Sequence, residues 1–307
     1  MKQAVIDIGT NSTLLLIGEM DSQQQVNSIF QKFKVTRLGS GVHRDGVIRS
    51  DAMQRTINIL DEYRFDILKY NTEQVHVIGT QALRLAKNAD DFKNLLFEKY
   101  GWQLKIISGD EEARCSFIGA TDSIPLSGEA VLVMDVGGGS TELILGRKDK
   151  ILNHNSLPLG VVKFWEEFQK KDTLSITEKN TVIDKAKTEF EKLKFNDHFR
   201  SSSFFIGVGG TITTLAAIKE KMVSYQPDKI DGYKLTLSQL KEMFDFLNEL
   251  SAKERLKLPL LVPGREDVIL YGTLIFIALM KFASIDQVIA SSKGLRFGYL
   301  KQQYINA

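Results

Sequence analysis

The feature that most constrains this chain is a pattern that occurs twice. Gln3-Ala4-Val5-Ile6 is a short apolar-rich run ending on Asp7, and the turn Gly9-Thr10-Asn11-Ser12 separates it from a second such run, Thr13 to Glu19. In the second half, Ala130 to Met134 ends on Asp135, Gly137-Gly138-Gly139-Ser140-Thr141 follows, and Glu142 to Gly146 returns. Short apolar runs bounded by glycine-rich turns read as buried strands. Strand, acid, glycine turn and strand in each half predict two related units. A chain of 307 residues also exceeds what one hydrophobic core usually organises. The expected domains are residues 1–121 and 122–307, joined by the polar stretch Asp122 to Glu129 with Pro125, Ser127 and Gly128.

Strands and helices alternate elsewhere. Asp51 to Tyr70 carries Met53, Ile57, Leu60, Ile67 and Leu68 at helical spacing, Val75 to Gly79 is strand-like, and Ala82 to Tyr100 reads as one helix. Leu104 to Ile107 is a strand before a helix over Asp110 to Ala120. Ser175 and Glu178 have capping-box spacing at the head of a helix to Leu193. Phe204 to Val208 is a strand, and helices are expected over Ser238 to Leu250 and Glu266 to Phe282. The fold class is α/β.

Glycine turns let backbone N–H groups approach an anion closely, because no Cβ intervenes. Gly9, Thr10, Asn11 and Ser12 form one such turn; Gly137, Gly138, Gly139, Ser140 and Thr141 form another; Gly209, Gly210 and Thr211 form a third. Their hydroxyls and the Asn11 amide add donors. Hairpin turns capped by polar residues are the plainer explanation, and three glycine clusters favour phosphate. Acids beside phosphate repel it unless a cation lies between. Asp7, Asp135 and Glu142 therefore imply Mg²⁺. Asp110-Glu111-Glu112 opens a helix, where the dipole accounts for one or two acids; catalysis needs one of them to take a proton from water. Arg84 is either a surface helix residue or a fork for phosphoryl charge. Lys32, Lys34, Arg37, Arg44 and Arg49 form a basic run that reads as a solvated face or an attractor of polyanions.

Composition excludes several classes. Lys+Arg 40 against Asp+Glu 38 gives a net charge of +2, which advertises neither a nucleic-acid nor a membrane partner. The single cysteine, Cys115, cannot form an internal disulfide and reads as a buried small hydrophobe. His43, His76, His154 and His198 lack the spacing of a zinc site and read as structural or solvated. The apolar stretch from Val268 to Met280 is shorter than the roughly 20 residues a membrane span needs and reads as a buried helix. No signal peptide is apparent, and a cytoplasmic protein is expected.

DIGTNS, GTQALRLAKN, SGDEEAR, DVGGGSTE, GVGGT and the late SKGLRFG, in that order, resemble the exopolyphosphatase and guanosine pentaphosphate phosphatase (Ppx/GppA) family over nearly the whole chain. The resemblance implies a two-domain actin-like fold of the acetate kinase, sugar kinase, Hsp70 and actin superfamily, with the active site in an interdomain cleft. It implies Mg²⁺-assisted hydrolysis of the terminal phosphoanhydride of inorganic polyphosphate or of guanosine pentaphosphate, a monovalent cation such as K⁺ being a further option. It places the catalytic glutamate at Glu112 and the cleft arginine at Arg84. The phosphate and metal motif falls on Asp135, Gly137, Gly138, Ser140, Thr141 and Glu142, and the N-terminal loop on Asp7, Gly9, Asn11 and Ser12. Thr10 replaces the commoner serine, and Gly209-Gly210 stands where some members have Ser-Gly. Members often form homodimers. The chain resembles the short form, without the helical C-terminal domain of longer members. A kinase of the same superfamily and a phosphate-chain sensor are the competing readings; a sensor is expected to have lost Glu112 or Arg84, and both are present.

Overall fold

The structure, a computed structural model, describes residues 1–122, 124, 128–147, 150–169, 171–193 and 204–306. The chain divides into two compact units, Met1–Asp122 with Leu295–Ala307, and Ser123–Gly294.

The first unit is built on β1 (Gln3–Ile8), β2 (Ser12–Met20) and β3 (Val26–Val35), followed by the short α1 (Val42–Asp45) and the long α2 (Ser50–Lys69). Then come β4 (Gln74–Gly79), α3 (Gln81–Leu85), α4 (Ala89–Tyr100), β5 (Leu104–Ile106) and α5 (Gly109–Thr121). Its sheet runs β3-β2-β1-β4-β5. The first three strands are antiparallel and the last three parallel, β1 belonging to both sets.

The second unit repeats this order. Its strands are β6 (Ala130–Val136), β7 (Thr141–Arg147), β8 (Lys150–Leu157), β9 (Phe204–Val208), β10 (Lys234–Thr236) and β11 (Gln287–Ala290). Its helices are α6 (Val161–Glu167), α7 (Ile176–Glu191), α8 (Gly210–Lys219), α9 (Pro227–Ile230), α10 (Leu237–Glu249), α11 (Ala252–Arg255) and α12 (Ile269–Ala283). The sheet order is β10-β11-β9-β6-β7-β8, which reproduces that of the first unit and adds β10 at the edge. This doubled α/β arrangement is the expected actin-like one. The chain closes with α13 (Leu295–Asn306), which belongs to the first unit.

Strand alternation explains how the first sheet is covered. Ala4, Ile6 and Ile8 enter a core with Leu60, Tyr63 and Ile67 of α2 and Phe92 and Leu96 of α4. Val5 and Leu16 enter a second core with Ile107, Cys115 of α5 and Leu295, Phe297, Tyr299 and Leu300 of α13. Asp7 shares the parity of Val5 and so belongs to the face that α5 and α13 cover. In the second unit α12 is buried along nearly its whole length, as its apolar sequence predicts. Each fully buried Leu, Ile or Phe there contributes roughly 1.5–3 kcal/mol.

Two sequence expectations are corrected. The helix expected over Ala82 to Tyr100 is two helices, because Ala86 is extended and Asn88 turns aside. At the break the Lys87 N–H donates to the Gly46 carbonyl at 2.9 Å, outside the helix, and the Asn88 carboxamide accepts from the Ile48 N–H at 2.8 Å and donates to the Ile48 carbonyl at 2.9 Å. The helix expected from Glu266 starts at Ile269. The capping box of Ser175 and Glu178 is present. Pro125 and Ser127 of the expected connector, and His198, lie outside the described residues.

Candidate active site

The repeat holds at the level of single bonds. Gly9 N–H donates to the Ser12 carbonyl at 2.9 Å, and Gly137 N–H donates to the Ser140 carbonyl, also at 2.9 Å. Each turn is then gripped from behind by the segment after the third strand. Thr36 and Arg37 N–H donate to the Asn11 carbonyl and Gly39 N–H to that of Thr10, while Val161 and Val162 N–H donate to the carbonyls of Gly137 and Gly138. These bonds tie the carbonyls of each turn to the segment behind it. Thr10 and Asn11 are largely buried within the first turn, as are Ser140 and Thr141 in the second. Asn11 Nδ2 donates weakly to Ser12 Oγ at 3.4 Å.

The two hairpins differ in one position. Asp135 stands opposite Glu142 across β6 and β7, whereas Asp7 stands opposite Leu14 across β1 and β2. The paired carboxylates are therefore a property of the second unit. Glu142 is buried, and its Oε1 accepts from Ser140 Oγ at 2.7 Å and Ser156 Oγ at 2.8 Å. Asp135 lies against the third glycine turn, where a Cβ on Gly209 would come 2.9 Å from its Oδ1. Gly209 has φ 88° and precedes α8, so Gly210 and Thr211 begin that helix. Arg265 crosses this turn, its Nη1 donating to the Gly210 carbonyl and to Thr214 Oγ1, both at 3.1 Å.

Arg84 and Glu112 come together in the first unit. Arg84 Nη1 donates to Glu112 Oε2 at 2.6 Å and to the Ile107 carbonyl at 2.9 Å. Glu112 lies in the first turn of α5, which Ser108 caps by accepting the Glu111 N–H at 3.1 Å. The three adjacent acids point different ways: Glu111 pairs with Lys105 at 2.6 Å on an exposed flank, while the Glu112 side chain is only 12% exposed. Burial pushes the Glu112 carboxyl above the ordinary glutamate value, and the attraction and hydrogen bond of Arg84 pull against that rise without cancelling it. A carboxylate so placed is a stronger base than a solvated one.

The other groups singled out in the sequence are quieter. The Cys115 thiol is buried and pushed up to about 12, chiefly by burial, so it is not a nucleophile at neutral pH. In the basic run, Lys32 pairs with Asp66 at 2.9 Å and Glu62 at 3.2 Å, Arg44 with Asp45 at 2.7 Å, and Arg49 with Asp51 at 2.9 Å. Neighbouring carboxylates thus match much of its charge, and it is not a continuous cationic track. Sequence reasoning missed Ser156 and Arg265. The register of β8 against β7 identifies Ser156, but the polar sequence of β8 does not read as a strand; Arg265 stands out in the sequence only as a flank of the apolar helix.

Among the described residues no group of three or more His, Cys, Asp and Glu side chains is placed to hold a metal ion. Mg²⁺, the ion that the sequence implies, takes oxygen ligands and is commonly shared with substrate phosphates. Asp135, Glu142 and the neighbouring hydroxyls supply only oxygen donors, the chemistry that ion prefers. No helix among the described residues is long and apolar enough to cross a membrane.

The chain thus holds two α/β units of matching strand order, each opening on a hairpin with a glycine turn, and a largely buried glutamate in the first turn of one helix. The chain belongs to the Ppx/GppA phosphatase family, whose model matches residues 16–305. A bifunctional 3-dehydroquinate synthase/phosphatase of Fusobacterium nucleatum is 33% identical over 94% of this chain, which spans only 44% of that relative's length. Exopolyphosphatase 2 of Mycobacterium tuberculosis is 29% identical over 96% of both chains. A guanosine-5'-triphosphate,3'-diphosphate pyrophosphatase of Pseudoalteromonas translucida is 31% identical over 97% of this chain and 58% of its own. The crystal structure of the Aquifex aeolicus family member superimposes with a TM-score of 0.82 at 33% identity, covering 100% of this chain and 98% of that one.

Proposed function

We propose that the protein is an exopolyphosphatase, a hydrolase that removes the terminal phosphate of inorganic polyphosphate. The observation that supports this reading is the largely buried Glu112 carboxyl at 2.6 Å from Arg84, its pKa raised by burial beside a permanent cation. Glu112 takes a proton from water as the water oxygen forms a bond to the terminal phosphorus. The bond from that phosphorus to the bridging oxygen breaks, and the shortened chain leaves as the anion. Charge on the phosphoryl oxygens is met in the first unit by Arg84 and the turn Thr10 to Ser12, which Gly9 closes, and in the second by the turns Gly138 to Thr141, which Gly137 closes, and Gly209 to Thr211. Asp135 and Glu142 would hold Mg²⁺, which when bound neutralises charge on the chain end; Asp7 is the corresponding acid of the first unit. A domain division near residue 122, with α13 returning to the first domain, is part of the same proposal.

Inorganic polyphosphate is favoured over guanosine pentaphosphate as the simpler substrate, because backbone amides and basic residues are sufficient to bind it. The test is phosphate release measured in parallel from long polyphosphate, short polyphosphate, guanosine pentaphosphate and ATP. The proposal expects the highest kcat/KM on polyphosphate. A preference for guanosine pentaphosphate would transfer the same mechanism to the alarmone, and turnover of ATP only with an added acceptor would make the protein a kinase.

A further inference from the structure

The late motif SKGLRFG runs into helix α13, which lies against α5, the helix that carries Glu112. A Cβ on Gly298 would fall 1.8 Å from the Cys115 carbonyl oxygen and 2.9 Å from the Gly119 backbone nitrogen. Ordinary van der Waals separation begins at about 3.4 Å, so the two helix backbones touch at this glycine. Neither atom is a flexible side-chain end, and relief requires one helix to move.

The polar anchors of α13 indicate which helix moves. Arg296 Nη1 donates to the Leu15 carbonyl at 2.9 Å, and its Nη2 lies 3.3 Å from Gln31 Oε1. The Tyr304 hydroxyl lies 2.7 Å from the Met1 carbonyl and 2.9 Å from that of Gly18. These anchors tie both ends of α13 to the strands, and Lys301 pairs with Asp122 at the end of α5. Arg84 is held by the Ile107 carbonyl, and Ile107 is itself tied to the end of β4, its N–H donating to the Gly79 carbonyl at 3.0 Å. Bulk at position 298 therefore displaces α5, and with it Glu112, which precedes Cys115 by about one helical turn.

We propose that Gly298 is a positioning residue for catalysis: its missing side chain sets how closely α5 seats on α13, and hence where Glu112 stands relative to Arg84. This inference rests on the assignment of Glu112 as the base. A misplacement of about 1 Å at a reacting group can cost roughly a hundredfold in rate.

The experiment compares phosphate release from inorganic polyphosphate by the wild type, Gly298→Ala, Tyr304→Phe, the double variant and Glu112→Gln. Gly298→Ala should lower kcat by roughly ten- to a hundredfold with KM changed less than about threefold, and should shift the acid limb of kcat, because the environment of Glu112 changes. Tyr304→Phe frees the end of α13, so the double variant should recover part of the lost kcat. A purely structural role predicts the opposite, with defects that add and an unmoved pH limb; that result overturns the proposal. Normal kcat in Gly298→Ala with an inactive Glu112→Gln also overturns it and leaves the assignment of Glu112 intact. An active Glu112→Gln removes the base assignment on which it rests. If Gly298→Ala does not fold, Lys301→Met, which adds no bulk and releases the pair to Asp122, is the substitute; a severalfold fall in kcat at constant KM supports the inference, and unchanged kcat overturns it.

Discussion

Gly160→Ala tests how the glycine loop of the second unit is held. A Cβ at residue 160 would lie 2.3 Å from the Gly139 carbonyl carbon and 2.4 Å from the Gly138 carbonyl oxygen. Relative to the 3.4 Å at which ordinary van der Waals separation begins, the overlap is 3.4 − 2.3, or 1.1 Å, and it is wholly against backbone. The loop cannot yield freely, since Val161 and Val162 N–H hold the carbonyls of Gly137 and Gly138. Either those bonds break or the loop amides move by about 1 Å. The second outcome removes them from a bound phosphate and costs roughly a hundredfold in kcat/KM. Overpacking of this kind costs about 1–3 kcal/mol of stability, a fall of several degrees in Tm. Gly294→Ala is the control, because its Cβ would meet nothing closer than 3.7 Å. Phosphate release and thermal unfolding of both variants form the assay. A kcat/KM within threefold of wild type in Gly160→Ala, with the fold intact, would refute the role given to this loop.

Arg84→Ala should raise KM and lower kcat together, since the guanidinium both meets substrate charge and braces Glu112; an unaffected enzyme would make Arg84 a structural partner only. In a pH profile, kcat/KM should rise through a limb lying above the ordinary glutamate value of 4.5, because the base acts when ionised and burial raises its pKa. Arg84 lowers that pKa, so Arg84→Ala should move the limb to still higher pH; a shift toward acid would contradict the account. Ser156→Ala removes one of the two hydroxyls that orient Glu142 and should raise the Mg²⁺ concentration for half-maximal activity by about tenfold or more, the usual scale for a group behind a metal ligand. An unchanged Mg²⁺ requirement would detach Glu142 from the metal.

Much of this architecture is legible in the sequence because it follows from local chemistry. Apolar runs ending on Asp7 and Asp135, each followed by glycine, could scarcely be other than buried strands entering tight turns. The amphipathic spacing of α2 and the capping box of α7 are equally direct. What escapes is set by tertiary packing. β3 is an outer strand whose lysines pair with acids of α2, so its polar sequence hides its pairing with β2. β8 hides Ser156 for the same reason. Sequence order assigns residues 295–307 to the second domain, whereas in the fold they pack with the first unit, because Gly298 seats against Cys115 and Gly119 far away in sequence. The three acids of α5 are indistinguishable in sequence until packing buries Glu112 and leaves Glu111 on an exposed flank.

The central claim is that Glu112 acts as the base, and Glu112→Gln tests it most directly. Glutamine keeps the shape of the side chain and can still accept from Arg84, but it takes no proton from water. Binding of polyphosphate and release of phosphate should be measured on the same preparation. The account predicts turnover lower by about a hundredfold or more, the scale of general-base loss, with polyphosphate affinity nearly unchanged. Near-normal turnover in Glu112→Gln would contradict it.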